Sequence, residues 1–291
     1  MDIYNLDKVI VLGATGFIGR NIYNHLTEEN NLIVKGYSSK NCNLLDPSHV
    51  NELFNADNSK TTVIICSAIP RTKEDSWEAM LKNITMIYNF TSSVHTKDLR
   101  SVIFISSVDI YGNNLPGKPI DEDTMPNPIG FYGLSKYISE RILQSFQKDC
   151  YPVTCLRIPG IYGPDDSYKS IVGKFIKRAL NREIIEIHGE GRVKRDYVDI
   201  RDIYKVTDFF VKNPYPGVIN VATGRSVSIK DIVFMISNMV GMRVTIECLE
   251  NKKDKQCDMV FNISRLKSVY KNMEFKSLEE GVRYYIDNVG I

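Results

Sequence analysis

KVIVLGATGFIGR, residues 8–20, decides the fold. Residues 9–12 form an unbroken apolar run, as a short buried strand does, and Gly13, Gly16 and Gly19 follow with two residues between successive glycines. The pattern reads as strand, tight turn, helix. Gly13 lets the chain turn sharply, Gly16 lets the backbone approach a diphosphate, and Gly19 lets the new helix pack closely on the strand. Backbone N–H groups from Thr15 through Phe17 and Ile18 then face the phosphates at the helix N-terminus. Glycines also mark ordinary turns, so the position directly after a strand is what points to a nucleotide.

Working outward, residues 17–28 continue as a helix and residues 31–37 return as a strand. The loop after that strand reads Ser38, Ser39, Lys40, where the adenosine ribose sits in a doubly wound sheet. An acidic residue there would hold both ribose hydroxyls of NAD. Two hydroxyls and a cation instead suit the 2′-phosphate of NADP, with Arg20 as a second cation. A solvated turn would read the same way. Asp46 caps a short helix that Pro47 starts, and residues 61–66 form a strand ending in the small residues Ser67 and Ala68. A long helix covers about 75–95, with Trp77, Leu81, Ile84 and Tyr88 at helical spacing as core or subunit contact, and Asn83 placed to brace a site. Residues 101–105 deliver Ser106 and Ser107 to the same sheet edge, and FYGLSKYISERIL opens another helix. Residues 152–157 read as a sixth strand.

Strands alternating with helices imply an α/β doubly wound parallel sheet. Beyond Gly160 the texture changes: helices at about 228–240 and 278–289 and strands at 217–221 and 243–248 suggest a smaller, partly interleaved substrate domain. The expected division is 1–160 plus about 196–225 for dinucleotide binding, and about 161–195 with 226–291 for substrate.

Composition excludes several classes. A chain of 291 residues can bury a full core, and 37 basic against 35 acidic residues give no reason to expect nucleic acid. No apolar run suggests a membrane span, and MDIYNLD does not read as a signal peptide, so a cytoplasmic location is expected. Six cysteines without a CxxC pair favour buried thiols, and with four dispersed histidines no metal site is expected.

Ser107, Tyr132 and Lys136 form a chemical set. Moving hydride to or from a carbonyl requires a proton to move on its oxygen, and a tyrosine carries it if its hydroxyl is made more acidic. Lys136, four residues on from Tyr132, shares its helix face and favours the phenolate; Ser107 hydrogen-bonds the same oxygen.

Together these motifs resemble the extended short-chain dehydrogenase/reductase family, the NAD(P)-dependent epimerases, dehydratases and ketoreductases of nucleotide sugars, over nearly the whole chain. Gly13, Gly16 and Gly19 fill its GxxGxxG, Asn43 and Leu44 fall where it contacts adenine, and Cys66, Ser67 and Ala68 match its wall beside the dinucleotide. Ser107 stands four residues before the Tyr of the YG pair, and Tyr132 and Lys136 fill YxxxK. HGEGRVKRDYVDIRD is similar to the substrate segment whose arginine, here Arg195, grips the diphosphate, with Arg192 beside it. Val108 and Asp109 stand where the dehydratases of the family carry an acidic pair, which weighs against dehydration and leaves Asp109 a substrate contact. Gly160 replaces an Asn that many epimerases present to the substrate phosphates. The resemblance implies a 4-keto-6-deoxy nucleotide-sugar reductase using NADP. A nucleotide-sugar 4-epimerase holding NAD is the alternative, and a non-catalytic dinucleotide sensor stands further off because Ser107, Tyr132 and Lys136 are all present. It also implies a homodimer through the helices at 75–95 and 129–148.

Overall fold

The computed structural model describes residues 7–28, 32–54, 61–94, 97–113, 117–147, 151–241, 244–249 and 257–289. Residues 1–6, Cys150, and the expected element ends at 31, 95, 148 and 243 lie outside them. The chain divides into two compact units: residues 1–112, 125–157 and 203–219 make the first, and residues 113–124, 158–202 and 220–291 the second. In chain order the first unit begins with β1 (Asp7–Leu12), α1 (Phe17–Glu28), β2 (Leu32–Tyr37), α2 (Pro47–Leu53) and β3 (Thr61–Ile65). It continues through α3 (Trp77–Val94), β4 (Ser101–Ser107), α4 (Phe131–Gln147) and β5 (Val153–Ile158). Then come β6 (Gly160–Tyr162), α5 (Ile171–Leu180), β7 (Ile185–His188), β8 (Lys194–Arg195) and β9 (Tyr197–Asp199). After α6 (Ile200–Lys212) and β10 (Gly217–Asn220), the chain ends with β11 (Val227–Ser228), α7 (Ile229–Val240), β12 (Ile246–Leu249), α8 (Ser264–Val269) and α9 (Leu278–Asn288).

The first unit is a doubly wound parallel sheet in the order β10-β5-β4-β3-β1-β2. Every residue of β3, β4 and β5 is buried, as parallel strands covered by helices on both faces must be. Ile10, Val63, Phe104 and Val153 carry the core, and Ile87 and Phe90 of α3 and Leu143 of α4 close it. The chain leaves β1 to β2 on one side and reaches β3 on the other. The strand order therefore reverses at β1, and the carboxyl ends of β1 and β3 flank the place where such sheets bind ligands. As expected from the sequence, Asp46 caps α2: its side chain accepts from the Ser48 N–H at 2.9 Å.

The second unit is built from short pairings: β6 with β9 and β7 with β12 in parallel, and β8 with β11 antiparallel. Val172, Ile176, Ile185, Ile232, Val233 and Val282 share its core. Strands of two to four residues are too short to show a period, and β6 to β9 escaped the sequence reading. The expected strand at 243–248 is β12 at Ile246–Leu249.

The stripe at Trp77, Leu81, Ile84 and Tyr88, expected as core or subunit contact, lies outside the core: Trp77, Leu81 and Tyr88 are 53%, 44% and 61% exposed and Ile84 is half-buried, because α3 buries Met80, Asn83, Ile87 and Phe90, and subunit contact is the alternative that remains. One expectation needs correction. Buried thiols hold for Cys42 and Cys155, whereas Cys66 and Cys257 are half-buried and Cys248 is exposed on β12. No helix among the described residues is long and apolar enough to cross a membrane.

Candidate active site

The turn after β1 is built as its glycines require. Gly13 has φ +90°, and a Cβ there would meet the Ser67 backbone nitrogen at 2.8 Å, so only glycine lets β1 pass so close to the end of β3. A Cβ on Gly19 would collide with the Gly13 carbonyl, so this glycine lets α1 start directly against the turn. Gly13 and Ala14 donate to the Tyr37 carbonyl at 2.8 and 2.9 Å, which fastens the turn to β2. Arg20 N–H donates to the Gly16 carbonyl at 2.8 Å, the first helical bond. Phe17, Ile18 and Gly19 accordingly have N–H groups with no acceptor inside the helix. Thr15 and Gly16 are exposed, and only the Gly13 carbonyl, at 3.5 Å, lies near where a Gly16 Cβ would stand. A side chain would fill that cradle, and bare backbone N–H groups at a helix start fit a diphosphate.

At the end of β2, Asn41 fixes the loop by accepting from the Ser38 N–H at 2.7 Å, and Lys40 N–H donates to Ser38 Oγ at 3.3 Å. Ser39 and Lys40 are exposed. Asn43 is half-buried and its Oδ1 accepts from the Leu45 N–H at 3.2 Å. Leu44 is only 4% exposed and packs in the core, while its carbonyl accepts from Asn89. Cys66, Ser67 and Ala68 follow β3 as half-buried residues.

The carboxyl end of β4 carries Ser106 and Ser107. Ser107 Oγ accepts from the Asp109 N–H at 3.1 Å and so caps a 3₁₀ turn over Val108–Tyr111, which leaves its hydroxyl hydrogen to donate. On α4, Lys136 is buried. Its Nζ donates to the Ile105 carbonyl at 2.6 Å and lies 5.7 Å from the centre of the Tyr132 ring and 4.6 Å from that of Phe104. α4 is thereby tied to the strand that ends in Ser107. Asn83 braces the arrangement: its side chain bonds both backbone groups of Ile69, at 2.7 and 3.1 Å, and donates to Ser135 Oγ at 3.3 Å, beside Lys136.

The electrostatics correct one expectation. Lys136 was to make the Tyr132 phenol more acidic, yet burial and the Asp109 carboxylate push that hydroxyl up, with only Arg71 opposing. The Lys136 ammonium is committed to the Ile105 carbonyl and is itself brought down to about 8 by burial, against the pull of Cys66, Glu140 and Cys155. Tyr132 is therefore a protonated phenol at neutral pH. Asp109 pairs with Arg71 at 3.1 Å.

Several supporting residues were not read from the sequence. Asp75 Oδ1 accepts from the Tyr132 N–H at 2.7 Å, so a carboxylate from the loop before α3 caps the reactive helix. The signal was Gly130, a residue with no side chain to cap α4 itself. Glu140, Arg157, Tyr111 and Ser106 form a buried cluster, with Arg157 Nη2 2.7 Å from Glu140 Oε2. In the second unit, Arg195 Nη1 donates to the carbonyls of Lys194 and Cys257 at 2.9 and 2.6 Å, and exposed Arg192 pairs with Glu190 at 2.7 Å. A Cβ on Gly160 would stand 2.9 Å from the Tyr197 ring, so that ring bars any larger residue from the position.

The model of the NAD dependent epimerase/dehydratase family matches residues 9–222. A dTDP-D-glucose 4,6-dehydratase of Dictyostelium discoideum is 26% identical over 80% of this chain, which spans 62% of that protein's length. A putative UDP-glucose 4-epimerase of Methanocaldococcus jannaschii is 28% identical over 81% of this chain and 83% of its own. Among solved structures, a Thermus thermophilus UDP-glucose 4-epimerase in complex with NAD superposes with a TM-score of 0.86 at 20% identity, covering 97% of this chain and 98% of that one.

Proposed function

The chain belongs to the NAD dependent epimerase/dehydratase family, and from that premise we propose that it acts at C4 of a nucleotide sugar, reducing a 4-keto-6-deoxy sugar with NADPH. The observation that carries the reading is Lys136, bonded to β4 beside Ser107 while its ammonium lies 5.7 Å from the Tyr132 ring centre. The dinucleotide, when bound, supplies the hydride. Tyr132, protonated in this environment, gives the proton to the carbonyl oxygen, and Ser107 donates a hydrogen bond that holds the ketone and stabilises its developing charge. Lys136 orients the nicotinamide ribose. The cradle at Gly16 with the N–H groups of Phe17, Ile18 and Gly19 takes the diphosphate of the cofactor. Arg195 and Arg192 are proposed to hold the diphosphate of the sugar, whose binding energy then serves to position the reacting carbon.

The cofactor assignment rests on the loop after β2. Ser38, Ser39 and Lys40 offer hydroxyls and a cation with no carboxylate, which supports NADP. NADPH is expected to bind at least about tenfold more tightly than NADH in a fluorescence titration, and Lys40→Ala to remove most of that preference. Mass spectrometry of molecules released on denaturation decides the alternative. Stoichiometric NAD retained through purification turns the assignment to the 4-epimerase, the activity in the name of the Methanocaldococcus relative. Empty protein that prefers NADPH supports the reductase.

A homodimer through α3 and α4 is part of the proposal. Trp77 and Phe131, with ring centres 6.3 Å apart, stand with Leu81 and Tyr88 on an exposed apolar face. Such a face is costly to leave in water and suits a second copy of itself. Leu81→Glu is expected to convert a dimer to a monomer in light scattering, with NADPH binding intact. A wild-type protein that is already monomeric removes this part of the reading.

A further inference from the structure

We propose that the buried Glu140–Arg157 pair is the positioning device for the reactive face of α4, setting that helix against β4 and placing a carboxylate one turn from Lys136. The inference rests on the reading of Tyr132 and Lys136 given above. Four segments meet at the pair. Arg157 of β5 donates from Nε to Glu140 Oε1 at 3.0 Å and from Nη2 to Oε2 at 2.7 Å. Ser106, next to Ser107 on β4, donates to Oε1 at 2.6 Å. Arg157 Nη1 donates to the hydroxyl of Tyr111, which ends the 3₁₀ turn that Ser107 caps, at 3.0 Å, and the guanidinium lies 4.9 Å from the centre of that ring. Glu140 is one turn beyond Lys136 on α4.

The pair is nearly sealed from water, with Arg157 and Glu140 side chains 5% and 1% exposed. Burial on that scale makes an ion pair a poor source of stability, because desolvating two charges offsets their attraction, and apolar residues of similar volume would pack as well. What two charged groups provide and two leucines do not is direction. Both carboxylate oxygens are engaged by donors from β4 and β5, so a shift of α4 along the sheet breaks several bonds together. That register is the one that keeps Tyr132 and Lys136 at the end of β4.

The same carboxylate acts on Lys136. Around that ammonium stand the Ile105 carbonyl and Phe104 ring of β4, the Cys66 thiol after β3, the Cys155 thiol of β5, and Tyr132 and Glu140 of α4. Burial pushes the Cys66 thiol up to about 12 and Cys155 well above its usual value, so both are neutral near pH 7. Tyr132 is neutral as well. Glu140 is the carboxylate among these groups, and the Arg157 guanidinium of β5 is bonded to it.

The test needs no substrate in its first arm. With lysine labelled by ¹³C at Cε, the Lys136 signal is identified by its loss in Lys136→Met and followed with pH. The wild-type midpoint is expected near 8. Glu140→Gln, which keeps the volume but removes the charge and turns one of the two acceptors facing Arg157 into a donor, should lower it by at least about half a unit. A merely structural role would leave the midpoint where it was, and that result overturns the electrostatic half. Ser106→Ala leaves both charges in place and tests the positioning half independently. Turnover of dTDP-4-keto-6-deoxyglucose with NADPH should fall about tenfold with KM nearly unchanged. Unaltered turnover overturns it. If Tyr132→Phe turns over as fast as wild type, the site reading itself is wrong, an outcome separate from any movement of the lysine midpoint.

Discussion

Tyr132→Phe is expected to lower turnover by about a thousandfold while NADPH affinity stays close to that of the wild type. The substitution removes one hydroxyl and keeps the ring that Lys136 Nζ approaches to 5.7 Å, so packing of α4 survives and the lost rate measures proton delivery. Burial and the Asp109 carboxylate hold that hydroxyl protonated, the form that reduction consumes. The epimerase reading needs the opposite form at its outset, a phenolate that takes a proton from the sugar. The pH profile separates the two. Lys136, brought down to about 8, is an ammonium below that pH and loses its charge above it, while Tyr132 keeps its proton further up. A reductase should therefore be flat through neutral pH and decline as pH rises through about 8, whereas an enzyme that starts from the phenolate should gain activity over the same range. Turnover by Tyr132→Phe equal to that of the wild type at every pH would remove Tyr132 as the proton donor, whereas dinucleotide binding with no turnover by either protein would leave the non-catalytic sensor, since fold resemblance alone does not establish catalysis.

Much of this site was legible in the sequence because its signals are local. Gly13, Gly16 and Gly19 lie within seven residues, and their spacing alone describes a strand, a turn and a helix, as β1 and α1 bear out. Tyr132 and Lys136 are one turn apart, so a helix suffices to bring them to one face. Reading failed where the partner is remote. Asp75 caps α4 from 57 residues away, Arg157 reaches Tyr111 from 46, and Ser106 reaches Glu140 across 34. No periodicity encodes such pairs; only the folding of β4, β5 and α4 together creates them. The phenol acidity failed for a related reason. Spacing places Lys136 beside Tyr132 but cannot show that its ammonium is bonded to Ile105 or that Arg71 and Asp109 are paired nearby. The stripe at Trp77, Leu81 and Tyr88 shows the same limit: helical spacing identified a face without telling which side of α3 meets the sheet.

Arg157→Met is expected to destabilise the first unit by about 3–5 kcal/mol, the largest stability effect foreseen for a single substitution. The methionine fills much of the volume, but Glu140 is left as a charge without its counterion at 1% exposure, and Tyr111 and Ser106 lose parts of one shared network. Adding Glu140→Met should recover most of that loss, since the second substitution removes the stranded charge and two apolar side chains then pack where the ions were. Recovery stops short of complete because the Ser106 hydroxyl loses the acceptor it has on Glu140, which costs about 1–3 kcal/mol. Urea denaturation of the three proteins measures this, and a double variant no more stable than Arg157→Met would show that the pair contributes to stability in its own right. The contrast carries functional weight. A double variant that folds well yet turns over slowly places the pair in the geometry of Lys136 and Tyr132, whereas a stable and fully active one leaves it as a dispensable way of filling the space between β5 and α4.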